Sequence, residues 1–254
     1  MQHKEWTLRE GDSLELMSKL EPDTVDGVVT DPPYCSGGRT SSERQAPPSK
    51  KYQTTGSKAY PEFLGDHRDQ RGFLAWCSLW LAAAWRATRE SGVLVTFIDW
   101  RMLPTMTDAV QAGGWIWRGI VPWYKPWCRP QLGRFRNACE FAVWASKGPL
   151  PLDRDVPVLP GLVTSPPVPS ADRKHVAQKP LPVMRELVRI VVPGGLVLDP
   201  FAGAGTTGLA ALAEGRRFLG IEMHPTYAAI ARRRLAAAER FRGAAENRES
   251  ESTG

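Results

Sequence analysis

The sequence predicts an α/β fold, because strand-like apolar runs alternate with segments of helical periodicity along most of the chain. The last quarter shows this best: a strand at 196–199 leads through a glycine-rich turn into a helix at 206–214, and the next strand is 217–222. With 254 residues, 42% of them apolar, the chain can bury one substantial core. We therefore expect a single domain over 1–254.

The earlier elements follow from the same patterns. Residues 25–30 form a short apolar run typical of a buried strand, and helical spacing of apolar residues extends over 69–90 until Ser91-Gly92 ends it. The remaining predictions, in chain order, are a strand at 93–98, a short helix after Pro104, strands at 115–121 and 141–145, a helix at 181–192 and a last helix from Pro225 to about residue 242.

Three segments lack such a pattern. Residues 35–66 are polar and basic, and long loops in compact domains are usually functional or disordered. Residues 148–174 contain seven prolines, which indicates a linker or a small recognition segment. The polar residues 243–254 are expected to form a disordered tail.

Composition excludes several classes of protein. No apolar run is long enough to span a membrane, and the N-terminus lacks a secretory signal, so we expect a soluble, cytoplasmic protein without membrane contact. Four cysteines without a CxxC pair and four scattered histidines favour neither a metal site nor disulfides. The net charge of +6 is unevenly distributed: residues 109–139 carry five basic residues and no acid, which suits a polyanion.

The tryptophans fall into two groups. Trp76, Trp80 and Trp85 share a predicted helix and are expected in the core. A second group alternates with basic residues, which is compatible with stacking on nucleic-acid bases, although we favour core packing. Its members are Trp115, Trp117, Trp123 and Trp127.

A glycine-rich turn follows the strand that ends at Asp199. The run Gly203-Ala204-Gly205-Thr206-Thr207-Gly208 fits the pattern GxGxxG, and Glu222 stands nineteen residues after its first glycine. Alone, this pattern is typical of dinucleotide-binding folds such as NAD-dependent oxidoreductases, and a structural turn is the plainer alternative. A carboxylate at the strand tip, however, would repel a pyrophosphate on the helix N-terminus and would suit an ammonium group.

These residues fit a cofactor with an ammonium group, a ribose and no phosphate, which describes S-adenosylmethionine. Asp199 suits the ammonium, Glu222 can accept hydrogen bonds from both ribose hydroxyls, and Phe201 can pack against the ligand. The candidate cofactor contacts in this turn are Asp199, Phe201, Gly203, Gly205, Thr206, Thr207 and Glu222.

A second motif, Asp31-Pro32-Pro33-Tyr34, follows the buried strand 25–30, so its side chains emerge where α/β sheets bind ligands. An aromatic amino nitrogen is a poor nucleophile, because its lone pair is delocalised into the ring. The Asp31 carboxylate and the Pro32 carbonyl can accept both amino hydrogens, and Pro33 has no N–H to compete. Tyr34 offers a face on which an extruded base can stack. These four residues are the catalytic candidates, and Asp31 is also a candidate cofactor contact, because it lies near the expected methionine moiety.

With both motifs present, the chain resembles the amino-methyltransferases of bacterial and phage DNA modification, specifically the permuted β class. In that class the catalytic motif precedes the glycine motif, as in this chain. The resemblance covers about residues 8–242. It implies a Rossmann-like three-layer sandwich with a mostly parallel, seven-strand-type sheet, circularly permuted. It also implies methyl transfer from S-adenosylmethionine to adenine N6, with cytosine N4 as the alternative, since the N4 enzymes more often have Ser at the position of Asp31.

Other stretches match the family in part. Gly11-Asp12-Ser13 resembles its acidic motif near the cofactor adenine, which makes Asp12 a cofactor candidate. His175-Val176-Ala177-Gln178-Lys179-Pro180 looks like the family's HPTEKP motif and keeps its Lys-Pro, so Lys179 is another. Residues 137–145 look like its Asn/His-x-x-Glu strand segment. The family's target-recognition segment would correspond to the short stretch 149–174.

The implied partner is double-stranded DNA, and the resemblance leaves a homodimer and a cognate restriction enzyme open. Five cations of the loop after Tyr34 are expected to contact phosphates flanking the flipped base: Arg39, Arg44, Lys50, Lys51 and Lys58. A DNA-binding relative without catalysis, an RNA or protein-amide methyltransferase and an NAD-dependent oxidoreductase remain the alternatives.

Overall fold

The computed structural model describes residues 4–33, 68–128, 130, 132–169, 172–173 and 178–252, with side chains of the last helix described to residue 241. The strands are β1 (Trp6–Glu10), β2 (Val25–Thr30), β3 (Thr88–Ile98), β4 (Ile116–Tyr124), β5 (Cys139–Ser146), β6 (Val163–Thr164), β7 (Leu196–Asp199) and β8 (Arg217–Glu222). The helices are α1 (Ser13–Ser18), α2 (Gln70–Ala87), α3 (Leu103–Ala112), α4 (Leu181–Val188), α5 (Thr206–Ala213) and α6 (Pro225–Ser252).

The described strands form one eight-stranded sheet in the order β1-β8-β7-β2-β3-β5-β4-β6. Neighbours from β1 to β3 are parallel, β5 is antiparallel to both β3 and β4, and β6 is parallel to β4. The prediction of a mostly parallel, permuted sheet is confirmed, because β2 precedes β7 in sequence but lies beside it. The carboxyl ends of β8, β7, β2 and β3 therefore meet at one edge, and the start of β5 joins them there.

The sheet separates two apolar layers. In β3, Val93, Val95 and Phe97 pack towards α4, α5 and α6, whereas Leu94 and Ile98 pack towards α1, α2 and α3. This alternation is what a pleated strand produces when both of its faces are covered. The predicted three-layer sandwich is confirmed.

The boundary between α2 and β3 differs from the prediction. Asp69 caps α2 by accepting a hydrogen bond from the Gly72 N–H (2.7 Å), but the helix ends at Ala87, before the predicted end at residue 90. The strand begins at Thr88, which pairs with Val25, and it continues through Ser91 at φ 62°. The turn signal at Ser91-Gly92 thus lies inside the strand, in a bulge where residues 89–92 stand opposite Asp26 alone and interrupt the pairing with β2.

Other differences concern short or terminal elements. Strand β1, helix α1 and strand β6 have too few residues to show a periodicity, and the sequence pattern does not predict them. Helix α4 ends four residues before its predicted end. Helix α6 continues to Ser252 through the segment expected to be a disordered tail, where Ala, Glu and Arg favour helix. None of the described helices has the length and apolar character needed to cross a membrane.

Candidate active site

Three acidic residues follow neighbouring strands at one edge of the sheet. Glu222 ends β8, Asp199 ends β7, and Asp31 directly follows β2. The ends of β2 and β7 are joined by a hydrogen bond, which the Thr30 hydroxyl donates to Asp199 Oδ1 (2.6 Å). The fold therefore brings the Asp-Pro-Pro motif and the glycine turn side by side, as the sequence predicted from strand ends.

The two oxygens of the Asp31 carboxylate have different surroundings. Oδ2 accepts a hydrogen bond from the Lys179 ammonium at 2.7 Å. Oδ1 is buried and has no hydrogen-bond partner among the residues that the structure describes. A buried acceptor without a donor costs free energy in the ligand-free protein. Oδ1 is thus positioned to accept a hydrogen bond from a ligand.

Behind Asp31, charges of alternating sign form a chain. The Lys179 ammonium also lies 3.4 Å from Glu140 Oε2, and Glu140 Oε1 lies 2.9 Å from the Lys125 ammonium. Lys179 is only 6% exposed, and it also lies over the Phe97 ring. We name Lys125, Glu140, Lys179 and Asp31 the charge chain.

Burial raises the pKa of Asp31 to about 6; the nearby Lys179 lowers it in part, while Glu140 and Asp199 raise it further. Burial would lower the pKa of Lys179, but Asp31 and Glu140 hold it above its ordinary value. Burial would raise the pKa of Glu140, but Lys179 and Lys125 hold it below its ordinary value. At neutral pH Lys179 and Glu140, the two middle members of the charge chain, are therefore both ionised.

Asp199 and Glu222 are both held by hydrogen-bond donors. Burial raises the pKa of Asp199 to about 6, against hydrogen bonds from side chains and from the Phe201 N–H. Burial also raises the pKa of Glu222, whose oxygens accept from the Gly203 and His224 N–H groups, both at 2.8 Å. Each carboxylate keeps lone pairs for a further donor.

The turn after β7 depends on two glycines. Gly203 has φ 51° and Gly205 has φ 79°, a region that L side chains rarely adopt. A Cβ on Gly205 would lie 3.0 Å from the Ala231 Cβ on α6, whereas a Cβ on Gly203 would meet only the Phe201 carbonyl oxygen, at 4.0 Å. Gly205 is thus required for packing, and Gly203 leaves open space for a ligand. Thr206 and Thr207 are buried in the first turn of α5.

Phe201 is partly covered by helix α2. Its ring centroid lies 5.4 Å from those of both Trp76 and Trp80, and the latter is fully buried. Trp76 in turn lies under the Arg68 guanidinium, at 4.4 Å. The expected core tryptophans therefore extend to the rim of the glycine turn.

The remaining predicted residues vary in how far the structure places them. Asp12 is exposed and caps α1 by accepting from the Glu15 N–H (3.0 Å), while the adjacent Gly11 N–H donates to the Glu222 carbonyl. Pro32 is buried and Pro33 is half-buried. Tyr34 and the five cations expected to contact phosphates lie outside the described residues. These are Arg39, Arg44, Lys50, Lys51 and Lys58.

Sequence reasoning missed Glu140 and Lys125 and placed Lys179 with the cofactor contacts, whereas its ammonium contacts Asp31 and Glu140. The resemblance singles out residues 137–145 but assigns no role to Glu140. A signal did exist: in an antiparallel neighbour such as β5, the first residues lie at the carboxyl edge of the parallel strands. Glu140, the second residue of β5, therefore belongs to the same edge as Asp31.

A family model described as DNA methylase matches residues 25–159 and 160–233. The chain belongs to this N6/N4 DNA methylase family. Over 237 residues it is 27% identical to YubD of Escherichia coli K12, a protein with a provisional methylase name, covering 91% of this chain and 90% of YubD. Over 246 residues it is 26% identical to the type II methyltransferase M2.DpnII of Streptococcus pneumoniae, and the match covers 89% of this chain and 88% of M2.DpnII.

Solved structures of DNA methylases share the fold. TTHA0409 of Thermus thermophilus, titled a DNA modification methylase, gives a TM-score of 0.66 at 22% identity, covering 91% of this chain and 94% of that one. M1.HpyAVI gives a TM-score of 0.61 at 25% identity, and the match covers 91% of this chain and 98% of M1.HpyAVI. The cytosine-N4-specific PvuII methyltransferase gives a TM-score of 0.65 at 21% identity, and the match covers 90% of this chain and 85% of the PvuII enzyme. The chain is thus a DNA methyltransferase, and its structural neighbours include an enzyme named for cytosine N4.

Proposed function

We propose that this DNA methylase transfers a methyl group from S-adenosylmethionine to the N6 amino group of an adenine flipped out of duplex DNA. The observation that carries the proposal is the buried Asp31 Oδ1, an acceptor without a donor, beside an Oδ2 held by Lys179. An exocyclic amino group is a neutral donor of the size that such an acceptor can take in a closed site.

The residues at the glycine turn fit S-adenosylmethionine. Two buried carboxylates, Asp199 and Glu222, suit an ammonium and ribose hydroxyls, and they would repel a phosphate. The open space beside Gly203 and the ring of Phe201 suit the rest of the ligand. When bound, the sulfonium supplies an activated methyl group. Asp12, Gly205, Thr206 and Thr207 complete the proposed contacts, and M1.HpyAVI and TTHA0409 have been solved with this compound.

The chain's own residues then prepare the nucleophile. Asp31 Oδ1 and the Pro32 carbonyl accept the two amino hydrogens, which localises the nitrogen lone pair towards the methyl donor. Lys179 holds Oδ2 and so orients Oδ1, while Pro33 offers no competing N–H. Tyr34 stacks on the extruded base. After transfer the nitrogen must lose one proton, and the ionised Asp31 is the adjacent base.

The identity of the target base rests on Asp31. An acid at this position favours adenine N6, and the alternative remains cytosine N4. Single-molecule sequencing of DNA from cells that express the protein tests this, with cells that express the Asp31→Ala variant as the control. We expect N6-methyladenine at one short motif; N4-methylcytosine in its place would contradict the adenine assignment.

We further propose that residues 1–254 form one methyltransferase domain acting on double-stranded DNA. A homodimer and a cognate restriction enzyme are also proposals. Sedimentation equilibrium tests the first. Cleavage of unmethylated but not of methylated DNA by a co-expressed neighbouring nuclease tests the second.

Asp199→Asn should weaken S-adenosylmethionine binding tenfold or more, about 1.4 kcal/mol, because the ammonium loses its counter-charge. Since burial raises the pKa of Asp199 to about 6, its ionised form is lost as the pH falls below that value. Wild-type affinity should therefore decrease between pH 7 and pH 5, and the variant should show less of this decrease. Calorimetry at both pH values measures it.

The matched control is Asp26→Asn on β2, whose carboxylate accepts from the Leu196 N–H at the opposite edge of the sheet. It should leave the affinity and its pH dependence unchanged. Unchanged affinity in the Asp199 variant would instead place the cofactor elsewhere.

Lys50→Ala combined with Lys51→Ala should flatten the dependence of log affinity for duplex DNA on log salt. Each neutralised phosphate contributes close to one unit to that slope, so the loss should be roughly two units. Fluorescence anisotropy with a labelled duplex over a salt series measures it. A wild-type slope would mean that the loop after Tyr34 is a solvated insertion.

A further inference from the structure

The loop between β4 and β5, residues 125–138, is longer than a strand reversal requires. It has fourteen residues, whereas two to five usually suffice for a hairpin. It emerges from the edge that carries Asp31, because Tyr124 pairs with Cys139 at the same end of the sheet at which Ile98 pairs with Phe141. Lys125, its first residue, belongs to the charge chain. We name residues 125–138 the edge hairpin.

The edge hairpin exposes large apolar side chains beside cations. Trp127 is 74% exposed, Leu132 102% and Phe135 104%, and Arg134 and Arg136 are exposed between and beside them. Trp115 and Trp123, in contrast, are buried as expected. Large exposed apolar side chains that lie close together in the sequence make this segment a candidate interaction surface.

Hydrogen bonds within the hairpin brace this arrangement. The Arg136 guanidinium donates to the Cys128 carbonyl oxygen (3.2 Å), and the Lys125 N–H donates to the Ala138 carbonyl oxygen (2.7 Å). The two ends of the hairpin are therefore tied together, and Trp127 and Phe135 are exposed between them.

Charge selects the kind of partner. Residues 125–138 contain four basic residues and no acid, in a chain whose net charge is +6. A second copy of this chain would bring the same positive charge to the contact, whereas duplex DNA brings phosphates. Aromatic rings next to cations suit bases that lose a stacking neighbour when one base leaves the duplex.

The segment expected to recognise DNA, residues 149–174, is less well placed. It leaves β5 at Ser146, which pairs with Val93 at the edge opposite Asp31, and there the Arg154 guanidinium donates to the Ile190 carbonyl oxygen. It reaches the catalytic edge only at β6, where Thr164 pairs with Tyr124. The edge hairpin begins and ends at that edge.

We propose that the edge hairpin is a DNA-contacting surface of this methylase, which rests on the proposed function. Arg134 and Arg136 bind phosphates, and Trp127 and Phe135 pack against the bases next to the flipped one.

The apolar part is tested with Trp127→Ala combined with Phe135→Ala. Anisotropy with a labelled duplex that carries a mismatched adenine, which is extruded at low cost, should show at least tenfold weaker binding than the wild type, since stacking on an aromatic ring is worth ~1–3 kcal/mol per base. The matched control, Leu79→Ala with Phe241→Ala, removes exposed apolar side chains of α2 and α6, outside the hairpin, and should bind as the wild type does. Wild-type affinity in the hairpin variant would overturn the proposal.

The charged part is tested with Arg134→Ala combined with Arg136→Gln, because glutamine removes the charge of Arg136 and keeps a donor for the Cys128 carbonyl oxygen. The salt slope should flatten by roughly two units, whereas Arg233→Ala with Arg240→Ala, two exposed arginines of α6, should leave it unchanged. If sedimentation shows instead that the hairpin variants lose a dimer while DNA affinity is kept, a second copy occupies the surface and the proposal fails.

Binding is measured without cofactor, so these results do not depend on methyl transfer. Failure of the proposed function would appear separately, as wild-type protein that binds DNA through the hairpin but leaves it unmethylated. With an active wild type, the hairpin variants should lose more in KM for DNA than in kcat.

Discussion

Asp31→Ala should lower kcat by about 10²–10³-fold, the range seen when one preorganised hydrogen-bonding group at a reacting centre is removed. The amino hydrogens gain acidity as the nitrogen attacks, so the acceptor Oδ1 stabilises the transition state more than the bound substrate. KM for DNA should change much less than kcat. Single-turnover methylation with tritiated S-adenosylmethionine at saturating DNA measures the effect.

Two further variants separate chemistry from folding. Asp31→Asn keeps the size of the side chain and one oxygen acceptor but loses the charge, so we expect an intermediate loss. Asp26→Asn alters the same residue type at the other end of β2, and turnover should stay at the wild-type level. If Asp31→Ala retained more than a tenth of wild-type turnover with unchanged melting temperature, its catalytic role would be refuted.

Much of the fold and part of the site could be predicted because their signals are local. Strands β7 and β8 have the predicted bounds, and the turn at Gly203 and Gly205 follows from the glycines themselves. The meeting of Asp31 with Asp199 follows from parallel strands whose ends share an edge. None of these required knowledge of a long-range packing partner.

The charge chain could not be predicted in the same way. Lys125, Glu140 and Lys179 belong to three separate segments, and only the antiparallel insertion of β5 between β3 and β4 brings them to Asp31. The sequence predicts Lys179 as a cofactor contact, but its burial at 6% exposure and its ion pairs make it a counter-ion of Asp31 and Glu140. Its role depends on tertiary pairing that no periodicity reports.

The exposure of the tryptophans in and near the edge hairpin could not be predicted from the sequence either. Trp117 and Trp127 are exposed, while Trp115 and Trp123 of the same basic stretch are buried. Composition alone treats the four tryptophans alike. Trp117 and Trp123 lie in β4 on either side of a register shift between Trp117 and Gly119, whereas Trp115 and Trp127 lie outside the strand, and the sequence pattern reports none of this.

Lys179→Met should move the acid limb of the kcat profile to higher pH, by about one unit or more. Only ionised Asp31 accepts the amino hydrogen, and the pKa of this carboxyl is about 6 while burial raises it and Lys179 lowers it. Without the ammonium its pKa must rise, so turnover at neutral pH falls and recovers in part at alkaline pH. Turnover measured from pH 5 to pH 9 at saturating substrates tests this.

Glu140→Gln should move the acid limb of the kcat profile to lower pH. The Glu140 carboxylate raises the pKa of Asp31, and glutamine keeps an oxygen that can accept from Lys179 while it removes that charge. A structural role for the chain would lower turnover equally at every pH in both variants. Opposite shifts require that the chain acts through the charge of Asp31.

Lys147→Met is the matched control for these shifts of the kcat profile, because it tests loss of stability alone. Lys147 is also buried, and its ammonium lies 2.8 Å from Asp23 at the opposite edge of the sheet. Lys147→Met should lower the melting temperature, because the buried hydrogen bond from its ammonium to the Thr88 carbonyl oxygen (2.7 Å) is lost, but it should leave the acid limb in place. Lys179→Arg keeps the charge and should restore the limb towards its wild-type position. If Lys179→Met lost turnover without any shift of the limb, the ammonium would serve folding alone and the positioning of Asp31 would have to come from another group.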